Sequence, residues 1–111
     1  LLYWPEAEPP RTSRDALARA VAEALGLIRE PGASALRCDP LRAAALELGG
    51  AWMILDGRER RLLRCSATAA RLLGCARKGT ALARLPKAVR SDPLAAEELA
   101  RLRLGGLVEV V

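Results

Sequence analysis

The sequence predicts an α+β fold: a small mixed domain with a central β-hairpin and packed helix pairs. Three observations predict it. Asp56-Gly57 is a turn signal between two apolar runs, Ala51–Leu55 and Arg60–Cys65. Asp39-Pro40 and Asp92-Pro93 both read as helix starts, with Asp as the N-cap and Pro in the first helical position. Capped Ala/Leu stripes at helical spacing precede both steps. With 111 residues, 51% of them hydrophobic, the chain suits one domain with a modest core, 1–111.

Leu1–Trp4 is apolar and reads as a strand, and the Pro-rich Glu6–Arg11 reads as a loop. Thr12 or Ser13 then caps a helix, with Asp15 favourable in its first turn. Its stripe is Ala16, Leu17, Ala20, Val21, Ala24 and Leu25, and Gly26 is the expected stop. Leu27–Arg37 carries a turn at Pro31-Gly32. From Asp39-Pro40 a helix is expected, with Leu41, Ala44, Ala45 and Leu48 on one face and Gly49-Gly50 as its end. The hairpin Ala51–Cys65 comes next. Ser66 caps a third helix with Ala69, Leu72, Leu73 and Ala76 on one face, broken by Lys78-Gly79. Thr80–Leu85 reads as a short helix or an extended piece. Asp92-Pro93 starts a last helix bearing Ala95, Leu99 and Leu102, stopped by Gly105-Gly106, and Leu107–Val111 reads as a closing strand.

The two Asp-Pro segments echo one another. Asp39-Pro40-Leu41-Arg42-Ala43-Ala44 leads to Leu48-Gly49-Gly50 and a strand; Asp92-Pro93-Leu94-Ala95-Ala96 leads to Leu104-Gly105-Gly106 and another. Ser13 to Gly26 and Ser66 to Gly74 place a capped helix before each. An internal two-fold repeat, 1–55 and 56–111, is therefore an alternative description of the domain, one copy neutral and one basic.

Charge is the strongest functional signal. The net charge is +5, but residues 1–55 hold six Arg against seven acids, and residues 56–111 hold twelve basic residues against six acids. Within 58–90 lie Arg58, Arg60, Arg61, Arg64, Arg71, Arg77, Lys78, Arg84, Lys87 and Arg90 against the single acid Glu59. Such a stretch attracts polyanions. Arg also outnumbers Lys sixteen to two throughout, so a solvated face of an Arg-rich chain is the plainer alternative. Absence of Asn and Gln beside abundant Arg points to a GC-rich or thermophile source.

Several function classes are excluded or weakened. The chain has no His, which removes His-based triads, general acids and metal sites. Cys38, Cys65 and Cys75 are odd in number and form no CxxC pair, so neither a disulfide framework nor a zinc site is expected; free thiols suit a reducing, cytoplasmic setting. No GxGxxG or GxxxxGK[ST] loop occurs. Asp56 and Glu59 beside Arg60 and Arg61 read as a polar turn rather than a metal-dependent nuclease site. No apolar run approaches the ~18–20 residues of a membrane span, and Leu1–Pro5 lacks the basic n-region of a signal peptide. No enzyme, cofactor or metal is expected, unless the chain is a non-catalytic domain of a larger enzyme.

The second half reads as winged-helix-like. Arg58-Glu59-Arg60-Arg61 would be the wing, Ser66–Gly74 the first helix of a helix-turn-helix, and Cys75–Leu85 its recognition helix, interrupted by Lys78-Gly79. Over residues about 51–111 the chain also resembles the PqqD-like peptide-recognition family, winged-helix modules that bind leader peptides. The residues that carry this are Arg61–Leu73, Gly79-Thr80, Leu85, Leu99, Leu102 and Gly106-Leu107-Val108. The resemblance implies peptide capture by strand addition beside a helix, at the hairpin strands and the Asp92 helix. Residues 1–50 have no counterpart in that family.

The sequence thus favours a non-catalytic nucleic-acid-binding module, DNA or RNA, that contacts phosphates. Arg58, Arg60, Arg61, Arg64, Arg71, Arg77, Lys78, Arg84 and Lys87 are its candidate residues. Tyr3, Trp4 and Trp52 all fall outside the basic stretch, so base stacking there is unsupported. The alternatives are a peptide- or protein-binding module, expected to show an open strand edge near Ala51–Leu55, and a structural subunit of a larger complex or an oligomer. A membrane partner is not expected.

Overall fold

The computed structural model describes residues 2–3 and 11–111, with side chains from residue 14 onward. The loop expected over Glu6–Arg11 lies outside the described residues except for Arg11. The elements are β1 (Leu2–Tyr3), α1 (Arg11–Arg29), β2 (Leu36–Arg37), β3 (Ala43–Leu48), β4 (Ala51–Asp56), β5 (Arg61–Cys65), α2 (Ala67–Arg77), α3 (Lys87–Arg90), α4 (Ala95–Leu104) and β6 (Glu109–Val110). Four helices and a small, mainly antiparallel sheet make this an α+β domain. The sheet has the order β1-β5-β4-β3, with β1 parallel to β5 and the other pairs antiparallel. A separate two-residue ladder joins β2 to β6.

The largest departure from expectation is at Asp39-Pro40. The local turn forms as read: Asp39 Oδ1 accepts from Leu41 N at 2.9 Å, and Asp39 O accepts from Arg42 N at 2.9 Å. No helix grows from it. Residues 43–48 are strand β3, in register with β4 from Ala43↔Asp56 to Leu48↔Ala51. Gly49 and Gly50, with φ of 57° and 81°, close the hairpin as a two-residue turn that requires left-handed backbone at both positions. The apolar spacing fits a period of two as well as a helix, and pairing with β4 decides the matter. At Asp92 the same turn recurs, Asp92 Oδ1 accepting from Leu94 N at 2.9 Å and Asp92 O from Ala95 N at 3.0 Å, and there α4 does form. The echo is confined to the turn; segments 39–50 and 92–104 differ in structure, so it does not extend to a repeat.

Gly26 also fails to stop α1, which runs three residues further to Arg29 before Pro31. Gly26 does not adopt positive φ, and Leu27 and Ile28 pack against the core, which favours continuation. Leu17, Ala20, Val21 and Ala24 face the core as the stripe implies, while Ala16 and Leu25 are exposed. Ser66 caps α2 as expected, its Oγ accepting from Ala69 N at 3.0 Å. Residues 75–85 do not form a recognition helix. They supply the end of α2, a turn through Gly79 (φ 66°) and a 3-10 turn at Leu82–Arg84.

Cross-strand pairing puts Ala45, Ile54 and Leu63 on one sheet face, with Ala44, Leu46, Met53, Leu55, Leu62 and Arg64 on the other. The helix α2 packs on the first face through buried Leu72, Leu73 and Ala76. Behind it α4 packs against α2 and α1, contributing Leu99, Ala100 and Leu102. The segment 80–82 lies beside β2, with Leu36 N donating to Thr80 O and Leu82 N to Ser34 O, both at 2.9 Å.

Candidate functional site

All nine sequence-predicted basic residues are exposed, but the fold does not bring them to one face. Arg58, Arg60 and Arg61 sit on the β4–β5 turn. Arg64 alternates with buried Leu63 and so lies on the sheet face away from α2. Arg71 lies near Asp92 on the helical side. Arg84 is on the 3-10 turn that packs near α1, and Lys87 opens α3. Arg77, at the C-terminus of α2, reaches the start of β3, where Ala43 pairs with Asp56 beside the β4–β5 turn. There Arg77 Nη1 donates to Ala43 O at 2.7 Å and to Pro40 O at 3.3 Å, so this cation is already engaged.

The turn is organised by Asp56, which is fully buried. Its Oδ1 accepts from Arg58 N at 3.2 Å and Glu59 N at 3.3 Å. Arg61 Nε lies 3.4 Å from Oδ2 and Arg42 Nε 3.9 Å from Oδ1. The two backbone donors satisfy Oδ1 and the two guanidinium groups offset the buried charge, while Asp56 Oδ2 and Arg42 Nε have no hydrogen-bond partner among the described residues. The turn is therefore a fixed structure held by its own acid, with Arg60 in left-handed backbone at φ 52°.

Beside this turn lies a cleft of about 800 Å³ that sequence reasoning missed. Arg37, Asp39, Arg42, Arg58 and Glu109 give it its charge, and Leu41 and Leu107 its apolar wall. Two of its three cations, Arg37 and Arg42, come from the first half, in which acids outnumber arginines seven to six. The signal was present as the pair Arg37 and Arg42 bracketing Cys38-Asp39-Pro40-Leu41, but a tally of charge along the chain hides it. Arg42 is fixed in place: Nη2 donates to Gly105 O at 3.3 Å, and its guanidinium lies 3.4 Å from where a Cβ on Gly106 would stand.

The second feature missed is the free edge of β3. Gly57 N donates to Arg42 O, so Arg42, Ala44, Leu46 and Leu48 turn their backbone groups toward β4. Ala43, Ala45 and Glu47 turn theirs outward. The outward carbonyl of Ala43 is taken by Arg77. Among the described residues no strand pairs with the outward N–H and C=O groups of Ala45 and Glu47. At the opposite side of the sheet, β1 pairs with Leu63 and Arg64 of β5. Next to the free edge, Leu48 is 50% and Leu55 47% exposed.

The cysteines do not add chemistry. Burial pushes the Cys65 thiol up to about 11, with the Glu98 carboxylate adding to it. Burial also raises Cys38, opposed by Arg77 and reinforced by Asp39, and raises Cys75, opposed by Lys78 and Thr80. All three stay protonated at neutral pH and are weak nucleophiles. Among the described residues no group of three or more Cys, Asp or Glu is placed to hold a metal, and no helix is long and apolar enough to cross a membrane.

Comparison with protein-family models, with curated proteins and with solved structures finds no match to this chain.

Proposed function

We propose that the protein is a non-catalytic peptide-binding module that takes an extended segment of a partner as an added strand on β3. The observation that carries this is the outward-facing backbone of Ala45 and Glu47 at the β3 edge of the sheet, with which no strand among the described residues pairs. An unpaired edge is a template for another strand, and main-chain hydrogen bonds then supply affinity. Leu46, Leu48 and Leu55 line the outer face beside that edge and offer apolar contact to alternate side chains of the guest. The leader-peptide resemblance also implies strand addition, but at the hairpin strands; β4, which holds Ala51–Leu55, is paired on both sides, so the edge on offer is β3, outside the residues that carry the resemblance.

Phosphate-backbone binding is the reading that the charge tally favours. It is supported by the exposure of the basic residues, but their spread over the turn, the outer sheet face and the helical side suits a duplex poorly. A nucleic-acid footprint needs a contiguous basic surface. The test is a pair of anisotropy titrations, one with a labelled alternating valine–threonine peptide and one with labelled duplex DNA, each at 50 and 300 mM salt. The reading expects saturable peptide binding with a shallow salt dependence. Duplex binding that collapses with salt, with no peptide binding, would overturn it in favour of a phosphate-binding module.

A further inference from the structure

We infer that the Arg37–Arg42–Arg58 cleft is a carboxylate subsite, which makes the preferred partner a peptide with acidic residues flanking its strand-forming tract. This inference rests on the strand-addition reading. Location comes first. The cleft is lined by residues 37–42, which lead directly into Ala43, so a segment lying along Glu47 and Ala45 leaves the sheet toward it.

The charge balance sets the ligand. Three arginines face Asp39 and Glu109, a net of +1. A single carboxylate matches that balance, whereas a polyphosphate would meet the two acids as well. Geometry then supplies a preorganised donor. Arg42 donates from Nη2 to Gly105 O and its side chain is 22% exposed, with Nε near Asp56 but not hydrogen-bonded to it, so its orientation is restricted before a ligand arrives. Arg37 and Arg58 are exposed, and among the described residues neither side chain has an ion-pair or hydrogen-bond partner. Planar guanidinium groups pair with carboxylate through two parallel N–H donors, which gives a preference for the acid over its amide. Gly106, at φ 69°, contributes by leaving room for the Arg42 guanidinium against the backbone.

The test uses labelled peptides that share one alternating valine–threonine tract, with amidated C-termini. Two carry a single glutamate, before or after the tract; two carry a glutamine in the same place. At least one glutamate peptide is expected to bind about fivefold or more tighter than its glutamine counterpart. Arg58→Gln and Arg37→Gln should erase that difference without weakening the glutamine peptides, and Arg84→Gln, remote from the cleft, should preserve it. Equal affinity of glutamate and glutamine peptides overturns the carboxylate subsite and leaves strand addition standing. A glutamate preference that survives both cleft variants also overturns it. Failure of every peptide to bind overturns the strand-addition reading and this inference together.

Discussion

Replacing Glu47 with proline separates the β3 edge from everything else in the molecule. Proline lacks an N–H and is tolerated on an edge strand when the missing donor faces outward. The donor of Glu47 does face outward, because the ladder to β4 runs through Arg42, Ala44, Leu46 and Leu48. Its side chain is exposed, so no core contact is lost. Ala45 and Glu47 together present two donors and two acceptors. At about 1 kcal/mol net for each backbone hydrogen bond, a fully added strand draws about 4 kcal/mol from them. Glu47→Pro removes one donor, and its ring occupies the space that an approaching carbonyl needs, spoiling a second bond. The expected loss is about 2 kcal/mol, or roughly 30-fold in Kd. Anisotropy titration of the labelled valine–threonine peptide reads this directly, and thermal unfolding of the free protein should change little. Ala45→Pro should act in the same direction. Leu46→Pro, whose donor points into the sheet, should instead unfold the hairpin. Unchanged peptide affinity in folded Glu47→Pro and Ala45→Pro proteins would refute the reasoning.

Other consequences concern stability and reactivity. Asp56→Ala strands Arg42, Arg61 and two backbone donors around a buried void, and should cost about 3 kcal/mol by chemical denaturation; a loss below about 1 kcal/mol would show that the cluster is not what holds the turn. The Asp92 carboxyl is held below its ordinary value, chiefly by the hydroxyl of Thr68 and then by Leu94 N–H, with Arg71 adding and burial opposing. Its contribution is therefore present at neutral pH and lost as the solution is acidified through the folded-state value. Thr68→Val should flatten the fall in Tm between pH 5 and pH 3, and an unaltered slope would contradict the assignment. The Cys65 thiol, pushed from 9.0 up to about 11, runs the other way. Its contribution is full below about 9 and declines as pH rises toward 11, so Cys65→Ala should remove part of the alkaline destabilisation. At pH 8 alkylation of Cys65 should be about a hundredfold slower than that of an unperturbed cysteine, and an equal rate would contradict it.

Legibility in the sequence depended on whether local chemistry decides the outcome. Ser66 capping α2, Gly79 ending it, and the Asp56-Gly57 turn are all local, and each forms as read. The Asp-Pro steps show the limit. Both make the same turn from the same side-chain acceptor, but the element that grows from each turn is decided by distant partners. Downstream of Asp39 a neighbouring strand, Ala51–Asp56, is two glycines away and captures the chain as β3. Downstream of Asp92 the strand that follows Gly105-Gly106, β6, pairs with β2 instead, and Leu99 and Leu102 find their burial against α1 and α2 as a helix. The candidate site was hidden for the same reason. Reading β3 as a helix conceals a free sheet edge, and summing charge along the chain conceals Arg37 and Arg42, which meet Arg58 only in three dimensions.

Amide hydrogen exchange with and without a saturating valine–threonine peptide tests the central claim most directly. Strand addition requires the N–H groups of Ala45 and Glu47 to become protected on binding, with those of Ala44 and Leu46 already slow in the free protein because they face β4. Protection confined to other surfaces, with Ala45 and Glu47 still exchanging freely in the complex, would contradict the account.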